Sequence, residues 1–339
     1  MTDPSGNIGI RVDPASVARF LKMARTVFVF GFLVLVVVPW LGGFGVDWLW
    51  SREVGYEQVF LASFGWRVGL LLLVGGLAFA FLYGNIRHAA PRSTKELTLF
   101  SAGLGAEAAV VGRTLPMMFT LGSAFIAYIV GSAASNGWMN YLLAYRGGDT
   151  GITEPLFGND IAFYLFRLGA YSNALATAMF VTAITLVIVS FLYVLKRELV
   201  LPQMPGVSNQ RASWHVGVLS ALFFILLAVR LWVVTRANLA SSTTGPLVGA
   251  SYTDIHATLP AIIVSAAAAL GAAGAALYGA ARNQVLRNLA IAVAAYAAIG
   301  IVGRGIIPLA MQRLIVAPNE LARETPYLER HIDATRKAW

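Results

Sequence analysis

The chain has 339 residues, 58% hydrophobic and 12% charged, with a mean hydropathy of +0.71; a soluble domain carries roughly a quarter charged residues, so a water-soluble globular fold is excluded. The formal net charge of +9 would suit nucleic acid only from a single basic patch, and the basic residues instead alternate with apolar runs, which excludes that partner. Cysteine is absent, which removes disulfides, thiolate metal sites and a Cys nucleophile.

A helix needs about 20 apolar residues to cross the ~30 Å hydrocarbon core, and seven segments have that length. Lipid offers backbone groups no hydrogen-bond partner, so unbroken runs of this kind must be helices. The chain reads as all-α: a polytopic membrane helix bundle of about seven transmembrane helices with short interfacial helices. Residues 1–25 are expected as a cytoplasmic segment, 26–309 as the transmembrane domain and 310–339 as an extracytoplasmic segment.

The first run, 26–44, follows Arg19, Lys22 and Arg25. It is too long for a signal-peptide core and no small-x-small cleavage site follows, so it reads as a retained span. After the second run, 66–84, the connection 85–114 sets Leu97, Phe100, Leu104, Ala108 and Val111 at helical spacing, which predicts an interfacial helix. Its Gly103, Gly105 and Ala108 imitate a dinucleotide-binding turn, but no strand precedes them. The third run is 115–135. The connection 136–167 is rich in Trp, Tyr and Phe around a Gly147-Gly148-Asp149 turn signal, and predicts two short interfacial or re-entrant pieces. Runs four to seven are 172–195, 214–235, 259–280 and 288–309. In the sixth, Gly271, Ala275 and Gly279 form the small-xxx-small pattern that permits close helix packing.

Basic residues are retained on the cytoplasmic side. With the N-terminus inside, the inner connections hold thirteen Lys and Arg against five outside, and seven spans place the C-terminus outside. The expected location is therefore the cell membrane.

Ionisable groups within spans are functional candidates by default, and Arg230 and Arg304 qualify. Both are expected to pair with an acid or to bind an anionic group, with Asp254 as the first partner for Arg304. Asp160, His256, Glu57 and Tyr252 are candidates for interactions on an outer cap. Asp254 and His256 could act as a base and its orienter, but no nucleophile accompanies them. The four histidines, His88, His215, His256 and His331, fall on different sides. No metal-ligand motif, phosphate loop or nucleophile elbow is present, so no cofactor, metal or catalytic residue is assigned.

Four segments carry a resemblance: DWLWSREVGYEQVF (47–60), EPLFGNDIAFYLF (154–166), GASYTDIHATLPA (249–261) and APNELARETPYLERHIDATRKAW (317–339). Together and in this order they resemble the UPF0182 family of bacterial multi-pass membrane proteins. The resemblance implies an N-terminal seven-span region followed by a large extracytoplasmic portion, and it assigns no reaction. The chain is then either the membrane portion of a longer protein or a short relative. All four segments are expected on the outer side or its edge. The leading functional expectation is a non-enzymatic scaffold that anchors an extracytoplasmic domain or docks into a larger membrane complex with other subunits. The alternative is a transporter or lipid-handling protein engaging an anionic group through Arg230 and Arg304, with a polytopic enzyme third. The tail from Glu320 mixes charges with Leu321, Tyr327, Leu328 and Ile332, which predicts helical or extended pieces lying on the cap.

Overall fold

The computed structural model describes residues 38–103, 108–200, 208–246 and 248–338, together with Met23, Phe30 and Val34. Its elements are α1 (Val38–Glu53), α2 (Glu57–Ala89), α3 (Thr94–Gly103), α4 (Ala108–Asn136), α5 (Trp138–Arg146), α6 (Leu168–Leu195), α7 (Gln210–Arg230), α8 (Leu259–Ala281), α9 (Val285–Gly300) and α10 (Glu320–Ala338). Among the described residues the sole β feature is an isolated antiparallel bridge, Thr153 to Asp160. Six helical stretches are long and apolar enough to cross a membrane: Glu57–Ala89, Thr114–Asn136, Phe163–Leu195, Gln210–Thr235, Asp254–Ala281 and Val285–Asp333. The expected first span, 26–44, and the cytoplasmic segment 1–25 lie largely outside the described residues.

The chain divides into two units, 1–65 and 66–339. In the first, α1 ends at a Schellman turn: the Tyr56 amide donates to Ser51 O (2.7 Å) and the Gly55 amide to Arg52 O (3.2 Å), with Gly55 at a φ of +78°. This reversal packs Phe44 on Phe60 and Phe64, with ring centroids 5.3 and 4.8 Å apart. It also lets the Trp48 indole donate to Glu57 at 3.2 Å. The DWLWSREVGYEQVF segment is thus a helix reversal, and Glu57 serves inside it.

In the second unit α7 and α8 are the most enclosed spans, and the stretch from Val285 the least. Helix α8 presents Ala269, Ala272, Ala273 and Ala276 to its neighbours, all buried. A short side chain costs little entropy and lets backbones approach. The expected small-residue face is only partly the one used: Gly279 is buried against Asn288, whereas Gly271 has open space in front of it. Helices α2 and α4 cross backbone to backbone, since a Cβ on Gly131 would lie 2.6 Å from Leu71 O.

Two more expectations need correcting. The interfacial helix is not one straight element over 97–111: residues 104–107 lie outside the described residues, and a Cβ on Gly112 of α4 would stand 3.0 Å from Leu97 Cδ2 of α3, so the two helices lie side by side. Phe100 of α3 is 3% exposed in the main apolar cluster with Val189, Leu192 and Val216, because its apolar face finds helices to pack on. Of the two pieces expected in 136–167, α5 is separate, but the second runs without a break into α6.

Wide i→i+5 turns occur at Phe163–Arg167, Leu231–Thr235, Asp254–Thr258 and Ile301–Ile306. Two of them lie directly ahead of Pro260 and Pro308. A proline ring clashes with the carbonyl four residues back and supplies no N–H, so a wider turn relieves the ladder there.

Candidate functional site

The interruption around Ser251 to His256 is the N-terminus of the α8 span. Ser251 and Asp254 form a reciprocal capping box. The Ser251 hydroxyl accepts from the Asp254 amide (3.3 Å), and the Asp254 carboxylate accepts from the Ser251 amide (3.1 Å) and hydroxyl (2.9 Å). Asp254 is 2% exposed; its carboxylate secures the Ser251 amide at the positive end of a helix dipole.

A second carboxylate reaches the same helix end from far along the chain. Glu324 of α10 accepts from the Tyr252 amide at 3.1 and 3.2 Å and is 1% exposed. Around it, the Arg323 guanidinium lies 5.3 Å from the Tyr252 ring centroid and donates to its hydroxyl at 3.3 Å. Tyr327 meets the same ring edge-on, and His256 stacks on it with centroids 4.1 Å apart. His256 Nδ1 donates to Tyr252 O at 3.0 Å. Gly249 has a φ of +144°, and a Cβ there would stand 2.0 Å from His331 Cε1. Only glycine both adopts that backbone and admits the ring.

The loop before α6 closes this end. Glu154 accepts from the amides of Leu156 (2.6 Å) and Phe157 (2.8 Å) and from the Tyr164 hydroxyl (3.2 Å). Arg236 lies between Phe157 and Trp232, 4.9 and 4.5 Å from their ring centroids. A cavity of about 230 Å³ separates Glu154 and Val248 from Tyr327 and Arg330 of α10. The tail predicted to lie on the cap is one helix held against residues 249–256 at the start of α8, with the cavity between it and the loop at Glu154.

Asp160 accepts from the amides of Ala162 (2.7 Å), Thr150 (3.1 Å) and Gly151 (2.9 Å) and from the Thr150 hydroxyl (2.7 Å). These bonds, the Ala162 amide foremost, hold its carboxyl down to about 2 from an ordinary 3.8. A depressed carboxyl contributes stability that is fully present above the unfolded value and is lost as pH falls through the folded one. The loop clasp is thus expected to persist through pH 4 and to open toward pH 2. In Asp160→Asn the Gly151 amide should exchange with solvent faster at every pH. Wild-type exchange rates in that variant would refute the clasp.

Arg230 and Arg304 do not meet Asp254. Arg304 is exposed and donates to the Tyr296 hydroxyl at 3.3 Å, its guanidinium 5.9 Å from that ring. Arg230 stands at the last turn of α7. The ion pairs among the described residues are Arg167 with Asp149, and Lys196 with Glu96 and Glu198. Asp254 is instead buried at its own helix start, where Ser251 engages its Oδ2.

At the other end of the spans lies a site that the sequence reading missed. Lys196, 6% exposed, donates to Ala89 O (3.3 Å) at the end of α2, to Glu96 of α3 (3.1 Å) and to Glu198 (2.9 Å). Partial burial pushes the Glu96 carboxyl up, but the Arg92 amide and Lys196 outweigh it and hold the group below its usual range. Beside them His215 Nε2 lies 2.9 Å from Asn85 Oδ1 and its Nδ1 2.9 Å from the Tyr193 hydroxyl. Asn Oδ1 can only accept, so Nε2 carries the proton and Nδ1 accepts from Tyr193. His88 meets the His215 ring edge-on at 5.0 Å. A cavity of about 600 Å³ opens over these groups, with Arg92, Arg211 and Trp214 in its wall. Neither Arg230 nor Arg304 lines this cavity or the one at the cap. Among the described residues no three His, Asp or Glu are placed to hold a metal ion. The Ser-x-x-Asp signal was readable in the sequence; the pairing of His88 with His215 had no local signal.

The chain is 31% identical to a UPF0182 protein of Bradyrhizobium diazoefficiens over 91% of its own length and 34% of the relative's. It is 32% identical to one of Cupriavidus necator over 96% and 36%, and 30% identical to one of Mycobacterium tuberculosis over 96% and 33%. The chain spans about a third of the length of these curated relatives. No solved structure matches it. The profile of the uncharacterised protein family UPF0182 matches residues 24–339, and with its six membrane-compatible helices the chain belongs to that family.

Proposed function

We propose that the chain is a membrane anchor whose cap, closed by α10, holds an extracytoplasmic domain or a partner subunit in a fixed orientation at the membrane. The observation that carries this reading is the seating of α10 through the buried Glu324 carboxylate on the Tyr252 amide. A helix tethered at a buried charge transmits a fixed direction, whereas a solvated tail would not. The length of the relatives beyond the matched third supports it. The reading includes a seventh span over 26–44, an N-terminus in the cytoplasm and a cap outside.

Removing residues 321–339 should leave the spans folded and abolish co-purification of partners from native membranes. Retention of every partner by the truncated protein would end the anchor reading. Orientation is tested separately. Ser93 and Ser241 are both exposed, and the chain has no cysteine, so single Ser93→Cys and Ser241→Cys variants report cleanly. An impermeant maleimide added to intact cells should label the variant at 241 and spare the one at 93; the reverse pattern would invert the topology.

A further inference from the structure

We propose that the cavity over His88 and His215 binds the phosphate of an anionic phospholipid, with Arg92 and Arg211 as its charged contacts and Trp214 and Val218 as the start of the acyl-chain path. This site is independent of the anchor reading, being at the opposite end of the spans.

The cavity, about 600 Å³, has the size of a small-molecule site. Two carboxylates stand in its wall, but both are engaged. Glu96 takes Lys196 and the Arg92 amide, and Glu198 takes Lys196. Among the described residues, two guanidinia in this wall have no carboxylate partner. Arg92 Nη2 bonds to His88, at Nδ1 (3.3 Å) and O (3.2 Å). Arg211 is exposed and in no ion pair among the described residues. Planar guanidinium forks bind phosphate oxygens bidentately, and a pair of them in one wall selects an anion.

The lower wall selects between anions. Trp214 and Val218 lie one turn apart on α7, 42% and 52% exposed, so they form a single apolar strip leading from the cavity down the span. A free phosphate has no use for that strip, whereas a phospholipid puts its chains there while a tryptophan marks the interface. Each basic residue near a membrane surface contributes about a five-fold preference for anionic lipid, hence roughly thirty-fold for the two.

The test reconstitutes the full chain in phosphatidylcholine vesicles containing brominated phosphatidylglycerol or brominated phosphatidylcholine at equal mole fraction. The quenching of Trp214 is isolated by subtracting the Trp214→Phe variant. Quenching by the brominated glycerol lipid should reflect a roughly thirty-fold local enrichment over the choline lipid, falling to parity in Arg92→Gln/Arg211→Gln. If that double variant does not fold, Arg211→Gln alone should show about a five-fold loss. Equal quenching by the two lipids in the wild type would overturn the proposal. So would an unchanged preference in the folded arginine variants. Added inorganic phosphate should leave the preference intact; its complete displacement of the lipid would assign the site to free phosphate instead.

Discussion

Replacing Lys196 with Met is expected to cost about 3 kcal/mol of stability, because it strands two carboxylates and a helix-end carbonyl at once. Breaking a fully buried pair costs more, but Glu96 and Glu198 keep side-chain exposures of 31% and 20%, so water offsets part of the loss. The lysine joins three elements: Ala89 ends α2, Glu96 lies in the first turn of α3, and Lys196 follows α6. In mild detergent the melting temperature should fall by roughly 4 °C. Lys196→Met combined with Glu96→Gln and Glu198→Gln should recover most of it, since no unpaired charge remains. Wild-type melting of the single variant would show that the junction contributes nothing. The Glu96 pairing adds a pH signature. Its carboxyl is held below the ordinary 4.5, so its contribution is complete above that value and is lost as pH falls beneath it.

Glu324→Ala should release α10 from the cap while leaving the spans intact. The variant removes a buried anion from a helix N-terminus and leaves the Tyr252 amide without its acceptor; the combined loss is about 2 kcal/mol. That loss falls on one docked helix, so it should appear as local opening rather than global unfolding. Amides of 320–338 should exchange roughly thirty-fold faster, the equivalent of that energy, with α7 and α8 unchanged. Glu324→Gln keeps the shape without the charge and should fall between. Glu320→Gln, at an exposed position of the same helix, should be silent. Unaltered protection across 320–338 in Glu324→Ala would mean that Glu324 does not hold the helix.

The spans were legible because transfer to lipid is a property of each segment by itself. The predicted runs 66–84, 115–135, 172–195, 214–235 and 259–280 all fall within helices of the structure. The helices overrun those limits at Glu57 to Phe64 and Phe163 to Arg167, where charged residues interrupt the apolar run but not the coil, since hydropathy records depth in lipid and not backbone hydrogen bonding. The interfacial helix was misread for a related reason: helical spacing from Leu97 to Val111 says nothing of a reversal that brings Gly112 back beside Leu97.

The polar anatomy of the helix ends divides the same way. The Ser251 to Asp254 capping box is local, spanning three residues, and its pattern stands in the sequence. The Glu324 carboxylate at the Tyr252 amide is 72 residues away, Lys196 reaches a carbonyl at a separation of 107, and His215 reaches Asn85 across 130. Composition and apolar run length decide that this chain enters a bilayer as helices, because each residue's transfer free energy adds along its own segment. Which charges meet at the two ends depends on the order and rotation of helices about their axes. Those follow from side-chain packing between segments distant in the chain, so only the tertiary structure turned scattered lysines, histidines and glutamates into a junction, a pocket and a docked helix.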